Sequence, residues 1–362
     1  LYVTVNSFTK NNEIEPLKDY AKMLYEIGAD AVIVSDLGAV ATIKKSAPDL
    51  DVHISTQANC CNYAAANAYY EMGASRVVLA REMTIEEIGE LHQKIPKELE
   101  LEAFVHGAMC MAYSGRCLLS SYMTGRDANR GACAQPCRWN YKIVEEKRPD
   151  EAMPIVETEE GTFIMSSKDM CTVDHIPELI EAGIDSFKIE GRMKSAYYTA
   201  VVTNAYRMSI DSYLSDPENY VFDPLWYREL ECVSHREYCT GYYLDDPMQN
   251  AQIGSHTGYI RDKAYFATAT EYNEDEAASI QSAGVALENE NGRLYRFIQR
   301  NKVKLGDSAE LISPSKVGKA FDVNELYLPN GEAAQSAPHP SMIFWCRVPF
   351  EVAEGDIMRA GE

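Results

Sequence analysis

What the chain lacks narrows its reading first. Its 362 residues hold no apolar run near the roughly 20 residues that span a bilayer, and the opening LYVTVNSFTK has neither a basic n-region nor a cleavage site. A cytoplasmic protein without membrane attachment is expected. The tight C-x2-C knuckles of structural zinc sites are absent, as are a G-x-S-x-G nucleophile elbow and an H-E-x-x-H helix. Cationic excess is missing too: 34 Lys and Arg stand against 55 Asp and Glu, a formal net charge of −21. Such a chain is no general polyanion binder, so any RNA contact must use a local basic patch. It also has no initiator Met and starts directly in a strand-like run, which reads as an N-terminal truncation.

A hydrophobic share of 46% and a charged share of 25% are those of an ordinary globular protein, and the length suits one large domain and a smaller one. Three segments repeat a unit: YEIGADAVIVSD from Tyr25, YEMGASRVVLAR from Tyr70 and IEAGIDSFKIEG from Ile180. Each has a helix end, a Gly at the C′ position and a short apolar strand. Strands are expected at Tyr2 to Val5, Ala31 to Val34, Val52 to Ile54, Val77 to Leu79, Leu99 to Val105 and Phe187 to Ile189. Helices are expected at Pro16 to Glu26, Cys61 to Glu71, Ile85 to Lys94, Ile176 to Glu181 and Ala196 to Leu214. The alternation predicts a TIM-barrel-like (β/α) domain over 1–250, with a Cys-rich insertion at about 107–170. Six strands fall two short of a closed barrel, and the missing N-terminus would supply the first two. From about Ala251 helical periodicity fades into short β-rich runs, among them HTGYIRD, which predict a small β-barrel domain over 251–362.

Polar residues follow the strands: Asn6, Asp36, Thr56 with Gln57, Arg81 with Glu82, His106, and Glu190 with Arg192. In a (β/α) barrel such positions converge at the C-terminal mouth. Glu102 and His106 share one face of a period-2 strand with Phe104, so His106 is the strongest candidate base, or else a structural histidine hydrogen-bonded to the cysteine loop, with Glu102 and Glu190 as catalytic carboxylates. Arg81, Lys188 and Arg192 can dock an anionic cosubstrate, with Gln57 beside them. The plainer alternative for these cations is ion pairing with Glu82 and Glu190.

Four cysteines fall in one 28-residue window, Cys110-x6-Cys117-x15-Cys133-x3-Cys137, among small, polar and Gly residues. Disulfides do not suit a cytosolic chain. The spacing leaves open an iron-sulfur cluster, a zinc ion or unligated thiols. Cys171 is a reserve ligand; Cys60, Cys61 and Cys346 read as small hydrophobes. In the same loop Arg116, Arg126, Arg130 and Arg138 interleave with Tyr122, Trp139 and Tyr141, a pattern that allows phosphate contact and base stacking, or plain solvation. Ser114 has no base near it in sequence and reads as a turn residue.

EAFVHGAMCMAYSGRCLLS, from Glu102 to Ser120, resembles the signature of peptidase family U32, the collagenase-like proteins. NRGACAQPCRW, SSKDMC and FKIEGRMKS resemble its further blocks, in the right order, and the likeness covers nearly the whole chain. The family's PAG…ADAVY-like start is absent. The resemblance implies a TIM-barrel-like domain that holds an oxygen-sensitive [4Fe-4S] cluster on Cys110, Cys117, Cys133 and Cys137. CAQPCRW and the appended β-barrel are most similar to the branch that hydroxylates tRNA wobble uridine without molecular oxygen, with prephenate as the implied oxygen source. Arg126, Arg130, Arg138 and Trp139 would then meet tRNA. The alternatives are the collagenase-like (metallo)peptidase of the family label, and a non-catalytic subunit that works with a paralogous U32 partner.

Overall fold

The computed structural model describes residues 1–110, 112–139, 167–244, 259–261 and 263–361, together with the backbone of short hairpin strands between 143 and 162. It divides into two compact units: Leu1–Glu190 with Arg236–Tyr259, and Gly191–His235 with Ile260–Glu362. A boundary at 250 lies in 245–258, outside the described residues, as do residues 256–258 of HTGYIRD. Residues 191–235 group with the C-terminal strands. No helix among the described residues is long and apolar enough to cross a membrane.

In the first unit β1 (Tyr2–Val5), β2 (Ala31–Val34), β3 (Asp51–Ile54), β4 (Arg76–Val78) and β5 (Glu100–Ala108) pair in sequence order, all parallel, and β7 (Ser186–Ile189) joins β5 in parallel. All six expected strands are present. Helices α1 (Asn11–Glu26), α2 (Leu37–Ser46), α3 (Tyr63–Glu71), α4 (Ile85–His92) and α6 (Ile176–Glu181) fill the crossovers. β2 reads AVIV and is buried throughout, as a central parallel strand covered on both faces must be. Caps set the helix starts: Asp36, Asn62 and Thr84 accept the N–H of Ala39, Ala65 and Glu87. Their ends fall where the repeated unit puts Gly, since Gly28, Gly73 and Gly183 have φ of +78°, +96° and +86°. The first helix starts a turn before Pro16 because the Glu13 carboxylate takes the Lys10 N–H at 2.7 Å. Two strands not expected from the sequence, β6 (Asp169–Cys171), antiparallel to the upper end of β5, and β8 (Tyr238–Cys239), extend the sheet above His106.

The second unit contains α7 (Ala196–Ser215), α8 (Pro224–Glu231), α9 (Glu274–Ser282) and an antiparallel sheet. Its strands are β9 (Tyr265–Ala269), β10 (Glu288–Asn289), β11 (Gly292–Gln299), β12 (Ser308–Ile312), β13 (Lys319–Asp322), β14 (Leu326–Tyr327), β15 (Ile343–Val348) and β16 (Ile357–Ala360). They pair in the order β13-β12-β16-β9-β11-β15-β14, with β10 on β11. The two edge strands are consecutive in the chain, joined only by Val323–Glu325. A flat sheet would hold those edges about 29 Å apart, whereas such a link reaches about 14 Å. The sheet must therefore curl on itself, around Phe297, Phe344 and Met358, each 0% exposed. Two devices seat the helices of this unit on it. Tyr197 stacks on Tyr265 at 5.2 Å, and the buried Arg359 reaches Glu229 at 2.7 Å and Glu310 at 2.6 Å.

Candidate active site at the strand ends

The inner face of the parallel sheet carries a polar layer low in the strands. Glu102 accepts from Lys188 at 2.6 Å, Arg76 at 3.0 Å and Ser186 at 3.1 Å. Burial alone would push the Glu102 carboxyl up, but Lys188, Ser186 and Arg76 outweigh it and hold it below its ordinary value. In this fold Glu102 is an ion-paired carboxylate, and Lys188 is engaged with it. Buried His53, pulled down first by burial and then by Arg76, stays neutral beside them.

His106 lies higher on β5, 1% exposed, with its ring 5.4 Å from Tyr238. Phe104 pairs with Lys188 but His106 with the next residue, Ile189, so a bulge breaks the two-residue alternation expected to put His106 on the face of Glu102 and Phe104. Glu190 donates its N–H to the His106 carbonyl at 2.9 Å, so the two candidate catalytic groups stand on paired strand ends. Arg81 has its guanidinium carbon 3.6 Å from the Phe104 ring centre, donates Nη1–H to the Ala108 carbonyl at 2.7 Å and has Nη2 3.8 Å from Glu190. Burial pulls its pKa down, and Glu190 and Cys110 pull it back. Gln57 follows β3 in the turn Thr56–Ala58, and its Oε1 is buried with no hydrogen-bond partner among the described residues. Arg192 is exposed and belongs to the second unit.

The cysteine loop begins two residues after β5. Arg81 holds Ala108 from below, and Glu82, the next residue, accepts the Ser114 N–H at 2.8 Å and its hydroxyl at 3.0 Å. Gly115 has φ +70°, and a Cβ there would lie 2.3 Å from the Gln57 carbonyl, so only Gly lets the loop settle onto that turn. Further along, Asn129 donates to the Cys117 carbonyl at 2.7 Å, and Ser120 Oγ accepts the Ala134 N–H at 3.0 Å. α5 (Leu119–Thr124) lies between these ties.

The four cysteines are free thiols brought within electrostatic reach of one another. Burial pushes Cys137 up, and Cys110, Cys133 and Cys117 push it further; Cys110 is likewise raised by burial and then by Cys117 and Cys133. Among the described residues no three His, Cys, Asp or Glu groups stand close enough to hold one metal ion. An all-cysteine donor set is the chemistry that holds an iron-sulfur cluster. Cys171 pairs opposite His106 and is 4% exposed within the sheet. Burial raises Cys60 to about 11 and Cys346 to about 12, as for small hydrophobes.

Of the expected RNA contacts, Arg130 is taken: its guanidinium pairs with Glu13 and the Phe8 carbonyl. Arg138 donates to Gln135 and to the Tyr259 hydroxyl, each at 3.1 Å. Arg116 and Arg126 are exposed, and Tyr122 and Trp139 are 91% and 42% exposed. Tyr141 lies outside the described residues. Ser114 is buried, and its side-chain partners are Glu82 and Thr56, with no imidazole among them.

Sequence reasoning missed the pair that seats the loop's return. Arg236, 3% exposed, donates to Asp169, 1% exposed, at 2.7 Å and 3.0 Å, and Tyr243 donates to the Phe104 carbonyl at 2.6 Å. Asp169 lies in the SSKDMC block, but nothing local announces a partner 67 residues away.

The model of peptidase family U32 matches residues 1–253, and that of the family's C-terminal domain matches 278–359. A tRNA hydroxylation protein P1 of Bacillus subtilis is 36% identical over 364 residues, covering 100% of this chain and 81% of that protein. A tRNA hydroxylation protein P2 of the same organism is 35% identical over 253 residues, or 68% and 80% of the two chains. An uncharacterized protease of Methanocaldococcus jannaschii is 42% identical over 255 residues, or 69% and 60%.

Proposed function

Because the chain belongs to peptidase family U32, whose members carry both protease and tRNA-hydroxylation names, we propose that it is a tRNA-modifying enzyme of the hydroxylating kind. The observation that carries this reading is the loop at the strand ends. It gathers four thiols, presents unengaged cations and exposed rings, and gives its buried Ser114 no imidazole. Cys110, Cys117, Cys133 and Cys137 would hold a [4Fe-4S] cluster, which supplies one-electron chemistry when bound. Around it the chain's own groups divide the work. Arg81 sets a positive charge beside Cys110, offsetting the anionic thiolates, and its remaining donors can take one carboxylate of a cosubstrate such as prephenate. His106 and Glu190, on adjoining strand ends, can hold or move a proton there. Arg116 and Arg126 would contact phosphates, and Tyr122 and Trp139 would stack on unpaired bases, with wobble uridine as the target. The two related Bacillus subtilis proteins make a paralogous partner a natural arrangement.

Mass spectrometry of tRNA nucleosides from a strain lacking the gene tests this reading. Loss of a hydroxylated uridine, restored by the wild-type gene and not by Cys133→Ala, is the expected result. An unchanged nucleoside profile would return the protein to the peptidase reading.

A further inference from the structure

We propose that Glu82 is a positioning residue that clamps the middle of the Cys110–Cys117 segment, with Arg81 as the second anchor, so that two of the four loop cysteines are placed by the end of one strand. Arg81 fixes the segment before Cys110 through the Ala108 carbonyl at 2.7 Å. Glu82 fixes it before Cys117, taking the Ser114 N–H at 2.8 Å and its hydroxyl at 3.0 and 3.3 Å. The same hydroxyl stands 3.5 Å from Thr56 Oγ1, which is itself bonded to the Leu79 carbonyl at 3.0 Å. Gly115 then rests on the Gln57 backbone with no room for a side chain.

Such a clamp has a physical reason. From 112 to 139 the loop's buried residues are Ser114, Ser120, Asn129 and Pro136, so no apolar core holds it. Asn129 and Ser120 tie it from within, at the Cys117 carbonyl and the Ala134 N–H, while Glu82 ties Ser114 from outside; a carboxylate that receives two hydrogen bonds from one residue is a strong, directional way to do so.

The proposal builds on the reading of the four cysteines as cluster ligands, but its first test does not depend on iron. In metal-free, full-length protein, iodoacetamide labelling of each cysteine is followed by peptide mass spectrometry. Glu82→Ala should raise the labelling rates of Cys110 and Cys117 about tenfold, the size expected of one lost charge-assisted hydrogen bond. Glu82→Gln keeps an acceptor for the Ser114 N–H and should stay within about threefold of wild type. Gly115→Ala, which leaves Glu82 intact, should behave like Glu82→Ala. In anaerobically reconstituted protein the same two variants should release iron to a chelator about tenfold faster and shift the visible spectrum, with Glu82→Gln rescuing both. Wild-type labelling rates in both Glu82→Ala and Gly115→Ala would overturn the proposal. So would faster labelling of the buried Cys171 and Cys346 to the same degree, which would make Glu82 a prop of the whole fold. Wild-type protein that takes up no iron would defeat the cluster reading and leave the labelling comparison to judge the clamp.

Discussion

Between residues 112 and 139 the buried side chains are three small polar ones and a proline, while the C-terminal unit buries Phe297, Phe344, Trp345 and Met358 to 0% exposure. One region is held by a few hydrogen bonds, given by Arg81 and Asn129 and accepted by Glu82 and Ser120, the other by volume. These two kinds of order fail differently. A polar-tied loop keeps its shape only while each partner is in place, and what it holds adds directly to its order. A packed core loses stability in proportion to the volume removed, yet carries no chemistry in its packing. This fold stores its packing in one part and its loop of thiols in another.

The largest effect should come from the loop. Anaerobically purified protein is expected to carry about four irons and four sulfides per chain, with visible absorption that bleaches in air. Cys133→Ala should abolish that absorption, whereas Cys346→Ala, in the packed unit, should leave it intact. Iron analysis of the two variants breaks the comparison if both keep or both lose the cluster.

Next in size is the core. Phe297→Ala removes a fully buried ring stacked on Phe344 at 5.7 Å and should cost about 3–5 kcal/mol in denaturant unfolding of the C-terminal unit. Its iron content should match wild type. Cluster loss in step with unfolding would mean that the two kinds of order are coupled.

A smaller effect is expected at the exposed cation. Arg126→Ala should weaken tRNA binding severalfold and lower the slope of log affinity against log salt by about 0.7–0.9, the share of one phosphate contact. Arg130→Ala should do less to that slope, because its guanidinium already serves Glu13. Filter binding across a salt series separates the two.

The smallest is a pH effect in the polar layer of the sheet. His53 and Glu102 both have folded-state values below their ordinary ones, so the unfolded chain binds more protons and stability falls on acidification. The His53 contribution is present above about pH 6.5 and fades below it; that of Glu102 is present above about pH 4.3 and fades further down. Denaturant curves from pH 8 to 5 should show His53→Gln flattening the upper part of this fall. An unchanged pH slope in that variant would remove His53 from the account.

What the sequence by itself determined is local. Apolar runs of four or so residues, a Gly at the C′ position of three helices and polar residues at the strand ends gave six strands in the right order, because each signal lies within a few residues of the structure it sets. The four cysteines share one loop for the same reason, since their spacing is local. Elements without such signals escaped: α9 sits inside a run that reads as β-rich, and β6 and β8 are strands of three and two residues that exist only by pairing with a neighbour. Only the tertiary structure decided which strand-end charges are spent. Lys188 meets Glu102 across 86 residues, Arg130 meets Glu13 across 117 and Arg236 meets Asp169 across 67. No periodicity encodes such partners. A guanidinium looks the same in sequence whether a carboxylate awaits it in the fold or not, and that difference decides whether it belongs to the scaffold or remains available to a substrate.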